Sequence, residues 1–343
     1  MKIAIYGAGA MGTILGAYLT KSGIDTVLVN RNKEHVDRLN EQGARITGEI
    51  EMTVRVKAIT PEEMNDCYDI IFLMTKQTEN VSVAGFLRTK LSIEGVICTV
   101  QNGLPEISLG EVVGEERIIG ATAVWGATIV EPGIVKLTSN VKSMSFQIGS
   151  LSPGNTHKVE EIKEVLQNMC PVYIEKNFMG ARWSKLLLNS TFSGLSTIFG
   201  VTFGEVAKNR KMRSIAQMIV KEVIDVAKAA DIEILPVQGK DIVKLMDYNG
   251  VIKKRFANFV ISVSMINHKS ITSGMLYDID KGRKTEVDAI NGVICDFGKR
   301  YCFPTPYNDR IVEIIHKIEE KKMKPSIENI AVFDDLISKQ VRN

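Results

Sequence analysis

At 343 residues and 38.0 kDa the chain is long for one hydrophobic core, and it predicts about two domains at roughly 150 residues each. Hydrophobic residues at 45% and charged residues at 24% exclude a disordered chain. A net charge of +3 without a concentrated basic stripe excludes the nucleic-acid-binding class, although a locally basic cleft could still draw in a small anion.

Five scattered cysteines, odd in number and without a CxxC pair, argue against a disulfide framework or a structural zinc site. They predict reduced thiols, a cytoplasmic location and no metal. No stretch reaches the roughly 18 uninterrupted apolar residues of a membrane span.

Lys2–Tyr6 reads as a short strand, followed by a glycine turn and a helix over Ala10–Ser22 that Gly23 stops. Thr26–Asn30 predicts a second strand, and Lys33–Gln42 a second helix with Val36 and Leu39 on one face. Further strands are expected at Arg45–Thr47, Thr53–Ala58, Ile70–Met74, Val96–Val100, Arg117–Ile119 and Ile134–Leu137. Strands alternating with helices imply parallel βαβ units, and so a doubly wound α/β domain of the Rossmann type. From Ala181 onward helical periodicity dominates, over Trp183–Ile198, Met212–Ala230, Gly239–Met246 and Met275–Arg300. The expected organisation is a dinucleotide-binding domain over 1–174 and an all-α domain over 175–343.

The turn Gly7-Ala8-Gly9-Ala10-Met11-Gly12 follows a strand and opens a helix, the context that gives GxGxxG its meaning. Gly7 permits the tight turn, Gly9 lets the backbone approach a pyrophosphate, and Gly12 lets the helix pack on its strand. The helix N-terminus then offers N–H groups and partial positive charge to phosphates. NAD sites usually carry an acidic residue at the end of the second strand for the ribose 2′-hydroxyl. Here Asn30-Arg31-Asn32-Lys33 has no carboxylate and two cations, so NADP(H) is the expected cofactor. Thr75-Lys76-Gln77 and Gln101-Asn102-Gly103 leave the carboxyl ends of two further strands, where ligands bind in open α/β sheets.

In the helical half, Lys185 and Asn189 lie four apart on one helix face, and Ser193 extends the line. Trp183, Leu186, Leu187 and Leu188 surround them. Such a lysine either snorkels at the helix rim or sits in a cleft doing chemistry. Glu286 stands beside the face marked by Val287, Ile290, Ile294 and Phe297. It either turns inward or pairs in solvent with Arg283 or Lys284.

These segments together resemble the ketopantoate reductase (2-dehydropantoate 2-reductase) family, from residue 1 to about residue 310. The resemblance rests on the glycine motif, Thr75-Lys76-Gln77, Gln101-Asn102-Gly103 and Trp183-Ser184-Lys185 with Asn189. Ser273-Gly274-Met275-Leu276-Tyr277-Asp278 and Lys284-Thr285-Glu286-Val287-Asp288 with Asn291-Gly292 complete it. It implies an NADPH-dependent reduction of ketopantoate to pantoate, toward pantothenate and coenzyme A, in a site between the two domains. It implies Lys185 as general acid and Glu286 as a substrate-binding carboxylate. Asn102, Asn189 and Ser193 would stand near substrate, and Gly7 to Gly12, Arg31, Lys76, Asn102 and Ala127 along the cofactor. The partner is then a small 2-oxo acid, with no nucleic acid or membrane; a homodimer is left open.

The chain departs from the family pattern at three places. Ser193 and Phe203 stand where asparagines are usual, and Gly274 where a serine is usual. Two alternatives follow: a related NADPH-dependent reductase of another 2-oxo acid, and a non-enzymatic NADP(H) sensor.

Overall fold

Strand β1 (Lys2–Tyr6) is buried on both faces, with Ile3 and Ile5 entering one core and Ala4 and Tyr6 the other. That period-2 alternation suits the centre of a sheet covered on both sides. The computed structural model describes residues 1–236, 239–248, 250–264 and 269–341. The chain divides into two units, Met1–Phe178 and Met179–Asn343.

In the first unit the order after β1 is α1 (Ala10–Lys21), β2 (Asp25–Val29), α2 (Lys33–Gln42), β3 (Ala44–Gly48), β4 (Met52–Val54) and β5 (Lys57–Ile59). Then come β6 (Tyr68–Leu73), α3 (Asn80–Arg88), β7 (Leu91–Thr99), α4 (Pro105–Val113) and β8 (Ile118–Ala123). The unit ends with β9 (Ala127–Glu131), β10 (Ile134–Leu137), β11 (Phe146–Gly149), α5 (Thr156–Leu166) and β12 (Val172–Ile174). The main sheet has the order β12-β11-β8-β7-β6-β1-β2-β5. The run from β8 to β5 is parallel, while β11 is antiparallel to β8. The chain winds from β1 to β2 on one side, then crosses to β6 on the other, so β1 is the topological switch point. The expected α/β fold of Rossmann type is present.

A second, four-stranded sheet, β4-β3-β10-β9, is an addition that the alternating pattern did not announce. The run Thr53–Ala58, expected as one strand, is split between β4 in the second sheet and β5 at the edge of the main one. A six-residue apolar-polar alternation carries no information on which sheet it joins. Helix α1 is buried along most of its length and touches strands of both sheets. Its sequence is accordingly apolar around most of its circumference, as expected of an interior helix.

The second unit is helical: α6 (Phe178–Phe199), α7 (Phe203–Lys208), α8 (Arg210–Ala229), α9 (Ile242–Met246), α10 (Val251–Ser264), α11 (Gly274–Asp280), α12 (Val293–Arg300), α13 (Pro306–Glu319) and α14 (Asp334–Val341). The helix expected over Gly239–Met246 is confined to α9, with Asp241 as its N-cap. The helix expected over Met275–Arg300 is interrupted. Ser273 caps α11, the chain leaves it at Gly282 with φ +63°, and a π-helical turn over Asp288–Gly292 precedes α12. Periodicity alone cannot see a break whose flanking segments keep the same buried face.

α8 and α13 are joined by Glu222, which accepts from the backbone N–H of Tyr307 at 2.8 Å and of Asn308 at 3.0 Å. The Asn308 amide also donates to Glu222 at 2.8 Å, while its oxygen accepts from Asn291 at 2.9 Å. Asn291 in turn donates to the Ser190 carbonyl of α6 at 2.9 Å. Three helices and the π turn therefore share one buried polar chain. Burial pushes the Glu222 carboxyl up to about 7 despite the donors facing it.

Candidate active site

Gly7 sits at φ +99°, and a Cβ there would lie 2.7 Å from the backbone of Met74 and Thr75. A Cβ on Gly12 would lie 2.6 Å from the Gly7 carbonyl and 3.1 Å from Ile5, so helix and strand touch there without room for a side chain. At Gly9 a Cβ would meet only the Gly7 carbonyl, at 4.0 Å, so the middle of the turn faces open space. The first intrahelical bond of α1 runs from Thr13 N–H to the Gly9 carbonyl at 2.9 Å. The N–H groups of Ala10, Met11 and Gly12 therefore have no acceptor within the helix. The first turn holds no acidic residue. An open cradle, outward N–H groups and absent negative charge fit the pyrophosphate of a dinucleotide.

The turn is braced from below by groups that sequence reasoning missed. The Ala8 carbonyl accepts from Asn30 at 2.7 Å and from the Thr13 hydroxyl at 3.1 Å. His35 Nδ1 accepts from the Gly133 N–H at 3.0 Å, so its proton is on Nε2, which faces Thr13 Oγ1 at 3.2 Å. Burial lowers the His35 pKa, which suits that neutral tautomer. The one available signal was its place beside Val36 and Leu39 on the buried face of α2.

Around the turn, the carboxyl ends of β2, β6, β7 and β8 deliver the other expected cofactor residues. Arg31 is exposed and Nη1 donates to Glu79 at 2.9 Å. Lys33, the second cation, pairs instead with Asp37 one turn along α2 at 3.2 Å. Lys76 opens a short 3₁₀ turn over Gln77–Glu79 and is half-buried. The Gln77 side chain donates to the Asn102 carbonyl, tying two loops together. Asn80 and Gln101 exchange amide hydrogen bonds of 2.7 and 3.2 Å and reinforce that tie. The half-buried Asn102 precedes Gly103 at φ +76°. Ala127 is the first residue of β9, just past β8.

In the second unit, α6 presents Lys185, Asn189 and Ser193 on one line. Lys185 and Asn189 are half-buried and Ser193 is buried. Desolvation is the main force on Lys185 and, with the charge of Arg182, lowers its pKa to about 8; Glu286 pulls the other way. Arg182 is 1% exposed, so its charge acts with little solvent screening. Glu286 lies between α11 and the π turn and is half-buried. The structure thus brings Lys185 and Glu286 into electrostatic contact. Ser184, within the same motif, is structural: its hydroxyl reaches the Gly180 and Leu235 carbonyls at 2.9 and 2.6 Å.

The departures have local explanations. Phe203 packs on Phe192, which precedes Ser193, with ring centroids 5.7 Å apart. Gly274 opens α11, and a Cβ there would meet nothing within 4 Å. Among the described residues no helix is long and apolar enough to cross a membrane.

A glycine turn shaped to fit a phosphate at the switch point of a largely parallel sheet, with a desolvated lysine beside a carboxylate in a helical unit, matches the class of two-domain oxidoreductases with a dinucleotide-binding fold. Residues 3–152 match the family described as ketopantoate reductase PanE/ApbA, and residues 177–319 match its C-terminal domain. A 2-dehydropantoate 2-reductase of Pyrococcus abyssi is 30% identical over 312 residues, spanning 90% of this chain and 94% of that protein. D-mandelate dehydrogenase, solved with NADH and anilino(oxo)acetate, superposes with a TM-score of 0.79 at 27% identity, over 94% of this chain and 99% of the other. A 2-dehydropantoate 2-reductase from Geobacter metallireducens GS-15 does so with a TM-score of 0.77 at 26% identity, over 92% and 99%. The chain belongs to the ketopantoate reductase family.

Proposed function

We propose that the chain reduces a 2-oxo acid with NADPH, and that the acid is ketopantoate, giving pantoate on the way to pantothenate and coenzyme A. The observation that carries this reading is Lys185, with its pKa lowered to about 8 beside Glu286. A solvated surface lysine stays near its ordinary value of 10.5; one held near 8 can be protonated at neutral pH and still release its proton readily.

When bound, the reduced nicotinamide supplies the hydride. Lys185 stabilises the negative charge growing on the 2-oxo oxygen and passes a proton to it, a contribution of about 10²–10⁴-fold. Glu286 favours the charged form of Lys185 and anchors the substrate hydroxyl. Asn189 and Ser193 continue the same helix face toward the rest of the acid. Gly7 to Gly12 hold the pyrophosphate, Arg31 draws the 2′-phosphate, and Lys76, Asn102 and Ala127 follow the cofactor along the strand ends. These assignments give the first unit the cofactor and the second unit the proton donor.

One observation favours a second reading, a reductase of a bulkier 2-oxo acid. Phe203, where the family usually carries an asparagine, packs its ring on Phe192 and so puts an apolar group in place of an amide. The relative solved with anilino(oxo)acetate is a dehydrogenase of an aryl hydroxy acid. Steady-state NADPH oxidation with ketopantoate and a panel of alkyl and aryl 2-oxo acids decides between them. The highest kcat/KM on ketopantoate supports the first reading, and a tenfold preference for an aryl acid supports the second. NADPH binding without turnover of any 2-oxo acid would make the protein a sensor.

A further inference from the structure

The end of β2 carries no carboxylate, yet the fold brings one there from a different strand. Glu79 closes the 3₁₀ turn after β6, 48 residues along the chain from Arg31, and its Oε2 lies 2.9 Å from Arg31 Nη1. β6 and β2 are the two neighbours of β1, so the pair spans the switch point on which the glycine turn sits. Tyr6, the last residue of β1, feels both charges: beyond the dominant effect of burial, Arg31 lowers its pKa, while Glu62 and Glu79 raise it. The side chains are 71% and 53% exposed, so a ligand can reach them. An ion pair this solvated is weakly held and is easily exchanged for another partner.

We propose that Glu79 is a cofactor-selecting residue: its carboxylate accepts the ribose 2′-hydroxyl of NADH and competes with the 2′-phosphate of NADPH for Arg31. The inference rests on the dinucleotide reading of the glycine turn. A carboxylate and a phosphate sharing one guanidinium repel each other, whereas a carboxylate and a hydroxyl share it without penalty. The preference for NADPH that Arg31 creates is therefore narrowed by Glu79, and the chain binds both dinucleotides.

The test is equilibrium titration of the full chain with NADPH and with NADH, followed by nicotinamide fluorescence at fixed ionic strength and without substrate. Glu79→Gln keeps the shape and removes the charge. It should tighten NADPH and weaken NADH, widening their affinity ratio by about 3- to 10-fold. Glu41→Gln, which removes the same charge near the far end of α2 where it pairs with Arg38, should leave the ratio within about twofold. An unchanged ratio in Glu79→Gln, or an equal change in Glu41→Gln, overturns the proposal. Failure of the unmutated chain to bind either dinucleotide overturns the reading beneath it as well, and is recognised separately.

Discussion

Lys185 is a long cationic side chain held where water cannot fully solvate it, with Arg182 adding repulsion and Glu286 relieving part of it. A group so placed is unstable as a cation and ready to give up a proton, the property a general acid needs. Lys185→Ala should lower kcat by about 10²-fold or more. The variant's affinity for NADPH should be unchanged, since the proposed phosphate site lies in the first unit; stopped-flow turnover and fluorescence titration measure the two effects. Because the acid must be protonated, kcat should be flat below the Lys185 pKa and fall as pH rises through about 8. Glu286→Gln removes a charge that favours the cation, so the descending limb should move to lower pH. The vacant space at Gly274 makes a further substitution informative. Gly274→Ser should fold normally and shift kcat/KM toward ketopantoate relative to bulkier acids, as measured on the same substrate panel.

At the junction of β1 and α1, three glycines in six residues do different jobs, and alanine separates them. Gly7→Ala must push a Cβ into the Met74–Thr75 backbone from a left-handed conformation, at a cost of about 2 kcal/mol or more. Gly9→Ala meets open space, so its folding stability should be near that of the parent while dinucleotide affinity falls, since the Cβ occupies the ligand's approach. Urea denaturation and cofactor titration distinguish the two variants. In the helical unit the sensitive junction is Glu222, which binds the first N–H groups of α13. Its carboxyl titrates near 7 when folded against 4.5 ordinarily, so the folded state binds the extra proton between those values. The stability it contributes is complete below about pH 4.5 and declines as pH rises to about 7. The urea midpoint should fall across that window, and Glu222→Gln should flatten the slope. Gln presents only one acceptor to three donors, so it should also lower the midpoint at all pH values.

A compact first unit makes ligand binding there a local source of stability. A dinucleotide held by Gly7 to Gly12 at 100 times its Kd stabilises the first unit by about 2.7 kcal/mol. Amides in β1, β6 and β7 that exchange only through unfolding of that unit should slow by about 100-fold on adding NADPH, as hydrogen exchange would measure. The net charge of +3 is modest, so under the proposed function the attraction of an anionic acid would depend on local cations such as Lys185 rather than on the overall field.

Much of this protein was legible without coordinates. The strand–GxGxxG–helix context dictates the Rossmann-type start because each glycine answers a steric demand made within a dozen residues. The lysine-asparagine-serine line on α6 follows from helical period alone. The alternatives for Lys185 were not separable that way, since snorkelling and desolvation have the same pattern; the desolvation of Lys185 and the charge of Glu286 that bears on it come from the fold. The same holds for His35, whose partners Thr13 and Gly133 lie 22 and 98 residues away. The split of Thr53–Ala58 between two sheets, the π turn after Glu286 and the delivery of Glu79 to Arg31 are equally matters of tertiary structure. Local sequence determines what is settled by sterics and periodicity over one or two turns. Long-range charge pairing, sheet membership and buried hydrogen bonds depend on distances that only the folded chain creates.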